Sequence, residues 1–132
     1  MANVYDASKI TTLIDNKTVT GYKKGSFVTA NKDEENVTAE SNAHGEVIFS
    51  RNNSGLGTVT ITLNQTSPFV KILNGYANTN TAFPIWVDDP TNKERRGGTE
   101  AFVTKVADAS YSESAEGRAY TIKVAEFKVD NY

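Results

Sequence analysis

Few side chains in this sequence have the type and spacing that catalysis or metal binding requires. His44 is the only histidine, and it lies in a polar stretch without the nucleophile motif that would make it a general base. The acidic runs Asp33–Glu35 and Asp88–Asp89 lack the alternating oxygen ligands and the turn glycine of a dedicated calcium site. The chain has no cysteine, so thiolate metal sites and disulfides are excluded. The sequence therefore predicts a protein that is not an enzyme and uses no cofactor or metal.

Charge and composition exclude further classes. With 132 residues and a formal net charge of −2, the chain predicts one domain without the basic face of a phosphate-neutralising nucleic-acid binder. A mildly acidic wall would instead let DNA slide past it. No apolar run approaches the roughly eighteen residues of a membrane span, and the start does not resemble a secretory signal. We therefore expect no membrane contact and assembly in the cytoplasm.

The strongest structural signal lies between Gly57 and Leu63, where apolar residues alternate strictly with threonines. The apolar set is Val59, Ile61 and Leu63, and the hydroxyl set is Thr58, Thr60 and Thr62. This period of two predicts a strand with one face on the core and the other on water or a polar partner. Glu46–Arg51 is a second strand candidate, and the Asn- and Gly-rich residues between them predict that the two strands form a hairpin.

One helix is predicted directly after this strand. Ser67 is a good N-cap, and Pro68 suits the first helical position because its missing N–H would have no partner there. One apolar stripe follows at helical spacing, formed by Phe69, Ile72, Leu73 and Tyr76. Asn74 and Gly75 predict that the helix ends there, as a short element packed on the core.

The rest of the chain reads as strands and one long polar loop. The predicted strands span residues 4–14, 18–22, 26–31, 81–89, 99–106 and 118–129, the last with a change of phase that indicates a bulge. Pro84 favours a sheet edge, or a position where no amide donor is needed. Lys32–Gly45 contains Val37 as its only sizeable apolar residue, which predicts a loop that is either functional or mobile.

Together these elements predict a mainly β fold, an antiparallel β-sandwich or small barrel with one short α-helix and a long polar loop. Threonine-rich strand faces and a proline-containing strand are typical of a sheet that continues into a neighbouring subunit. A ring that closes on itself would remove such exposed edges.

The serial order of these features resembles the tail tube proteins of contractile-tailed bacteriophages. The segments that carry the resemblance are YDASKI, a Gly-rich turn, KDEENVT, AHGEVIFS, a Ser-Gly turn, GTVTITL and the TSP helix start at Thr66–Pro68. The similarity covers nearly the whole chain and is strongest from Asp33 to Tyr76. FPIWVDD and KERRGG, in the second half, depart from the family pattern.

The resemblance implies a virion protein, a single tail-tube domain over residues 1–132. Subunits would form hexameric rings that stack into a tube, inside a sheath and on a baseplate, with DNA passing through the lumen without sequence-specific binding. The Lys32–Gly45 loop would reach a neighbouring subunit or ring and become ordered there. Its candidate contact residues are Asp33, Glu34, Glu35, Asn36, Val37 and Glu40. Thr58, Thr60 and Thr62 are candidates for the lumen wall or for a subunit interface.

Two other functions stay open at this point. Tubes of phage-derived bacteriocins and of secretion devices share the architecture implied by the resemblance. A β-sandwich that binds carbohydrate would need aromatic side chains gathered on one exposed face, and the candidates are Trp86, Tyr76, Tyr111 and Tyr120. Most of these lie at strand or helix positions that the sequence pattern places in the core.

Overall fold

The computed structural model describes residues 9–20, 28–109, 111 and 117–132. Within them the chain is mainly β, with one helix, as the sequence predicts. The strands are β1 (Thr11–Ile14), β2 (Lys17–Thr18), β3 (Val28–Lys32), β4 (Val37–Ser41), β5 (Val47–Arg51), β6 (Gly57–Asn64), β7 (Phe83–Asp89), β8 (Glu94–Val103), β9 (Gly117–Val124) and β10 (Lys128–Asn131), and the helix is α1 (Pro68–Thr79). The predicted strands 4–14, 18–22 and 26–31 lie partly outside this description, and so does the Gly-rich turn between the last two.

All strand pairs are antiparallel and form two sheets. The large sheet has the order β2-β1-β7-β8-β9-β6-β3, with β10 also paired to β8, and its described strands do not close into a barrel. Among the described strands, β4 and β5 pair only with each other and form a separate two-stranded ribbon. The predicted hairpin of β5 with β6 is therefore wrong, because β6 pairs instead with β3 and β9.

The core lies against one face of the large sheet, and β6 shows why. Val59, Ile61 and Leu63 are completely buried, while the threonines between them are only half-buried on the other face. The predicted alternation is thus confirmed residue by residue. The other completely buried apolar side chains come from β1, α1, β7, β8 and β9 and are Ile14, Leu73, Ile85, Ala101, Tyr120, Ile122 and Val124.

The helix begins where the sequence predicts but continues for one more turn. The Ser67 hydroxyl accepts a hydrogen bond from the Phe69 amide at 3.3 Å and donates one to the Thr20 carbonyl at 2.6 Å. Gly75 stays helical, and α1 ends only where Asn80 takes a left-handed conformation with φ 53°. The predicted stop at Asn74–Gly75 is wrong because packing of Leu73 and Tyr76 on the sheet holds the last turn in place.

Two irregular places show how a local signal can be accommodated. Pro84 lies in β7, which is paired on both sides, so of the two predicted positions the sheet edge is wrong and the position that needs no amide donor applies. A register shift between Phe83 and Ile85 spares the missing amide donor there. The predicted strand 118–129 is interrupted, and β9 and β10 both pair with β8 along one line. The break turns Phe127 inward, which explains the change of phase.

No helix in the described part of the chain is long and apolar enough to cross a membrane.

Candidate functional site

The ribbon of β4 and β5, residues 37–51, projects from the body and is called the arm below. Its turn is made by Asn42, whose side-chain oxygen accepts hydrogen bonds from the amides of His44 and Glu46, each at 3.0 Å. Gly45 completes the turn with φ 82°, a conformation that favours glycine. The prediction of a continuous loop from Lys32 to Gly45 is therefore wrong for residues 37–41, which form a strand because β5 offers them a partner.

The arm has two chemically different faces. Directly paired residues share a face, so Val37, Ala39, Val47 and Phe49 form an apolar face together with Arg51 and Ser41. Phe49 is 69% exposed and Val47 is 56% exposed, although both would gain from burial. Thr38, Glu40, Ile48 and Ser50 form the other face. Of the predicted contact residues, Val37 and Glu40 thus lie on opposite faces of the arm.

The root of the arm is tied to the sheet by polar contacts. The Asp33 carboxylate accepts hydrogen bonds from the Thr58 hydroxyl and from the Lys123 ammonium, the latter at 2.9 Å. Lys123 also donates to the Thr58 hydroxyl at 2.8 Å. The Thr58 hydrogen bond, followed by that of Lys123, holds the pKa of Asp33 below its ordinary value. Asp33, from the predicted contact residues of the loop, and Thr58, from the predicted lumen or interface residues, therefore lie in one cluster with Lys123.

The other predicted contact residues also lie at the root. The Glu34 carboxylate accepts a hydrogen bond from the Asn52 side chain at 2.6 Å. The Asn52 amide donates to the Asn36 carbonyl at 2.8 Å, and the Lys32 ammonium contacts the Asn36 side chain. Glu35 is exposed between them. These residues lie where the arm joins the body. The apolar face of the arm combines Val37, a predicted contact residue, with Val47 and Phe49, which the sequence pattern places in a hairpin with β6.

The outward face of β3, β6 and β9 is called the threonine face. Its members are Thr29, Asn31, Thr58, Thr60, Thr62, Ala119, Thr121 and Lys123. Thr60 sits between Thr29 and Thr121 in register, so hydroxyls cover the middle of this surface. Lys123 is the one cation among these members, and Asp33 lies beside it. The face is therefore polar, nearly neutral and suited to water or to a weakly held polyanion.

The residues considered for other chemistry are dispersed. His44 lies exposed at the turn of the arm, and the Asp88 carboxylate accepts a hydrogen bond from the Tyr132 hydroxyl at 2.6 Å. The Asp89 side chain instead accepts from the Thr91 amide at 3.2 Å and from the Asn92 side chain at 2.9 Å, so it organises its own turn. Among the residues searched, which are those the structure describes, no group of three or more potential ligands could hold a metal ion.

The aromatic residues that a carbohydrate site would need do not form one platform. Tyr120 is completely buried, and its hydroxyl donates to the Asn74 side chain at 2.7 Å. Tyr76 stacks on Phe83 with 4.7 Å between ring centroids. Trp86 is covered by the Arg95 guanidinium at 5.2 Å, while Tyr111 is 79% exposed and separate from the others. This dispersal disfavours the carbohydrate-binding hypothesis.

Comparison with known proteins identifies a family and solved structures with a similar fold. The family described as "Bacteriophage PhiTE tail tube protein" matches residues 6–107. A sheath/tube terminator of an extracellular contractile injection system, PVC, has a similar fold, with TM-score 0.64, 10% identity and coverage of 98% of both chains. The tube-terminating cap of the anti-feeding prophage has TM-score 0.62 and 10% identity, over 100% of this chain and 95% of that one. No curated protein matches the sequence significantly.

Proposed function

This chain belongs to the bacteriophage PhiTE tail tube protein family, and on that premise we propose that it is the repeating subunit of a tail tube. Membership makes it a structural component of a phage-like tail, not an enzyme. The finer proposal is that subunits form hexameric rings, that rings stack into a tube within a sheath and on a baseplate, and that DNA passes through the lumen.

The observation that carries this proposal is the arm. An isolated two-stranded ribbon is marginally stable in water, and an exposed apolar face adds to its cost. Phe49 and Val47 have no core beneath them in the single chain. A neighbouring subunit that covers this face would bury it and stabilise the ribbon. The arm, whose root is tied to the body by hydrogen bonds of Asp33 and Glu34, is therefore the proposed contact between subunits.

The threonine face is the proposed wall of the lumen. Hydroxyls remain hydrated and carry no charge, and the Asp33 carboxylate neutralises Lys123. A wall of this kind would neither hold phosphates tightly nor repel them strongly, which suits DNA that must move. The alternative assignment of the same face is an interface between subunits. A substitution at Thr60 separates the two assignments.

Negative-stain electron microscopy of the purified protein over a concentration series tests the proposal. We expect stacked rings or hollow tubes from the wild-type chain. Replacing residues 37–51 by an Asn-Gly turn should give a folded monomer, because Asn36 and Asn52 are already joined by a hydrogen bond. His44→Ala, which changes only the exposed turn of the arm, is the matched control and should assemble normally. Tubes of normal length from the arm deletion would refute the role of the arm.

A tube-terminating role is the second candidate. It is favoured by two structural neighbours that match nearly the whole chain, a sheath/tube terminator of an extracellular contractile injection system and the tube-terminating cap of the anti-feeding prophage. A terminator would form one closed ring and stop, whereas a tube subunit would continue to stack as concentration rises. Single rings that never stack would therefore favour this second role, and the same microscopy distinguishes them.

A further inference from the structure

A small cavity, called the seam slot below, lies where the open sheet curls towards itself. Within the described chain, β3 is paired on one edge only, and across the core from it lie β7 and β8. The Arg96 guanidinium spans the gap and donates a hydrogen bond to the Ala30 carbonyl at 3.3 Å. Beside this bridge is a cavity of about 200 Å³. Its described lining consists of Ile10, Val28, Ala30, Val87, Asp89, Glu94 and Arg96.

The seam slot has apolar walls, supplied by Ile10, Val28, Ala30 and Val87, and a polar side with a net negative charge. Asp89 and Glu94 are direct partners there in the register of β7 and β8. The Arg96 guanidinium forms an ion pair with the Glu94 carboxylate, so Asp89 is the carboxylate of the lining that no cation of the lining neutralises. An apolar cavity of about 150 Å³ is large enough to bind benzene in another protein. The seam slot therefore has the size and the walls for one aromatic ring, with carboxylates at its edge.

The arm carries a side chain that fits this description. Phe49 stands opposite the small Ala39, so its ring rises above the rest of the apolar face. Arg51 follows two residues later on the same face, opposite Val37. Along the arm, the aromatic ring of Phe49 is followed two residues later by the guanidinium of Arg51. In the lining of the seam slot, the apolar Val87 is likewise followed two residues later by the carboxylate of Asp89. Phe49 is 69% exposed, so it does not occupy the slot of its own chain.

We propose that Phe49 of one subunit inserts into the seam slot of a neighbouring copy, with Arg51 beside the carboxylate of Asp89. This inference rests on the proposed self-assembly and names its contact. A second copy is the occupant because ring and guanidinium match the slot in both size and charge, and one sequence carries both halves. Such a contact is heterologous, so each subunit donates an arm and accepts another, and the interaction can repeat around a ring or along a tube.

Cross-linking between separately prepared chains tests the contact directly, since the native sequence has no cysteine. A Val47→Cys chain, which keeps the Phe49 ring and places a thiol on the same face, and a Val28→Cys chain are mixed and treated with a short bis-maleimide. We expect a cross-linked heterodimer. Ile48→Cys mixed with Val28→Cys is the matched control, because Ile48 is equally exposed but lies on the other face of the arm. Its cross-linked yield should be several-fold lower, because its thiol faces away from the seam slot when Phe49 is inserted. Equal yields from the two mixtures would overturn the proposal.

A mixing experiment tests the direction of the contact. Phe49→Ala removes the donor ring, and Ala30→Leu fills the slot; circular dichroism shows whether each variant is folded. Each variant alone should require at least about a tenfold higher concentration to assemble, the effect of losing one hot spot. Ile48→Ala should assemble like the wild type. A mixture of Phe49→Ala and Ala30→Leu should stop at dimers, because only one donor and one acceptor remain.

The outcomes separate this inference from the proposed function. If wild-type chains form tubes but Phe49→Ala forms them equally well, the tube subunit stands and the Phe49 contact is refuted. If the cysteine at position 47 instead cross-links efficiently only to sites outside the seam slot, the arm docks elsewhere and the Phe49 contact is refuted. If wild-type chains form no rings or tubes at any concentration, both proposals fall. Should Ala30→Leu fail to fold, the cross-linking comparison still decides the matter.

Discussion

The Gly57 position offers a sharp test of how the arm joins the body. Gly57 is the buried first residue of β6, and a Cβ atom there would lie 2.4 Å from three atoms of the Phe127 side chain. These atoms include the Phe127 Cβ and Cγ, so rotation of the ring alone cannot relieve the contact. Gly57→Ala therefore requires Phe127 to leave its buried position or β6 to shift at the root of the arm.

Gly57→Ala should lower the free energy of unfolding, because it adds a methyl group to a densely packed core. Inserting one methyl group at such a site typically costs about 1–3 kcal/mol of unfolding free energy. At roughly 4 °C per kcal/mol for a domain of this size, the melting temperature should fall by about 4–12 °C. Gly75→Ala is the matched control, because a Cβ at this helical position meets no atom within 4 Å. It should instead stabilise the protein by about 0.5–1 kcal/mol through helix propensity.

Urea denaturation of the two variants measures both effects. Far-UV circular dichroism and the fluorescence of Trp86, the only tryptophan, report the transition. In the double variant Gly57→Ala/Phe127→Ala the two losses should be less than additive by about 1 kcal/mol or more, because the clash disappears with the ring. The packing argument would be refuted if the free energy of unfolding of Gly57→Ala lay within about 0.5 kcal/mol of the wild-type value, which is the usual spread for neutral surface changes. Additive losses in the double variant would refute it as well.

Three further predictions concern the core, the threonine face and the root of the arm. Ile61→Lys should prevent folding because an unpaired charge would replace a completely buried side chain, and a cooperative wild-type melting curve would contradict this. Thr60→Lys should leave tubes intact but make them bind DNA at low salt if the face lines the lumen, whereas loss of assembly would identify a subunit interface. The folded-state pKa of Asp33 is lowered by Thr58 and Lys123, so its stabilising effect should be full above the ordinary value of 3.8 and lost as pH falls through the folded pKa. The stability difference between wild type and Asp33→Asn should therefore shrink below about pH 4, and a constant difference down to strong acid would show that the carboxylate charge is not involved.

The parts of the fold that were predictable from sequence are those set by local chemistry. The alternation from Gly57 to Leu63 predicts which face of β6 is buried, whichever strand pairs with it. Ser67 and Pro68 locate the start of α1 because they satisfy or remove orphan amides within the first turn. The change of hydrophobic phase near Phe127 likewise indicated an irregularity in the last strand, and β9 and β10 are separated there. Each of these signals depends on residues a few positions apart.

The same local reasoning could not predict which strands pair. Val47 and Phe49 alternate with polar residues as a core strand does, so pattern alone placed β5 beside β6. In the structure β6 is taken by β3 and β9, and β5 is left to pair with β4, a segment with little apolar content. Pairing is decided by the free energy of the whole sheet, in which eight residues of β6 find better partners elsewhere.

The candidate site depended even more on tertiary structure. From sequence alone, the residue types of the acidic run and of the threonine face were apparent, and so was the absence of a catalytic set. Only the fold brings Asp33 to Lys123, 90 positions apart, and sets Val28 opposite Val87 across the seam slot. The periodicity of a segment predicts whether a residue faces water or an apolar layer, because that depends on its own side chain and its immediate neighbours. Which residue it contacts depends on chain topology. That the Phe49 ring is exposed follows only from the tertiary structure, which shows that the other apolar strand faces pack against the core without it.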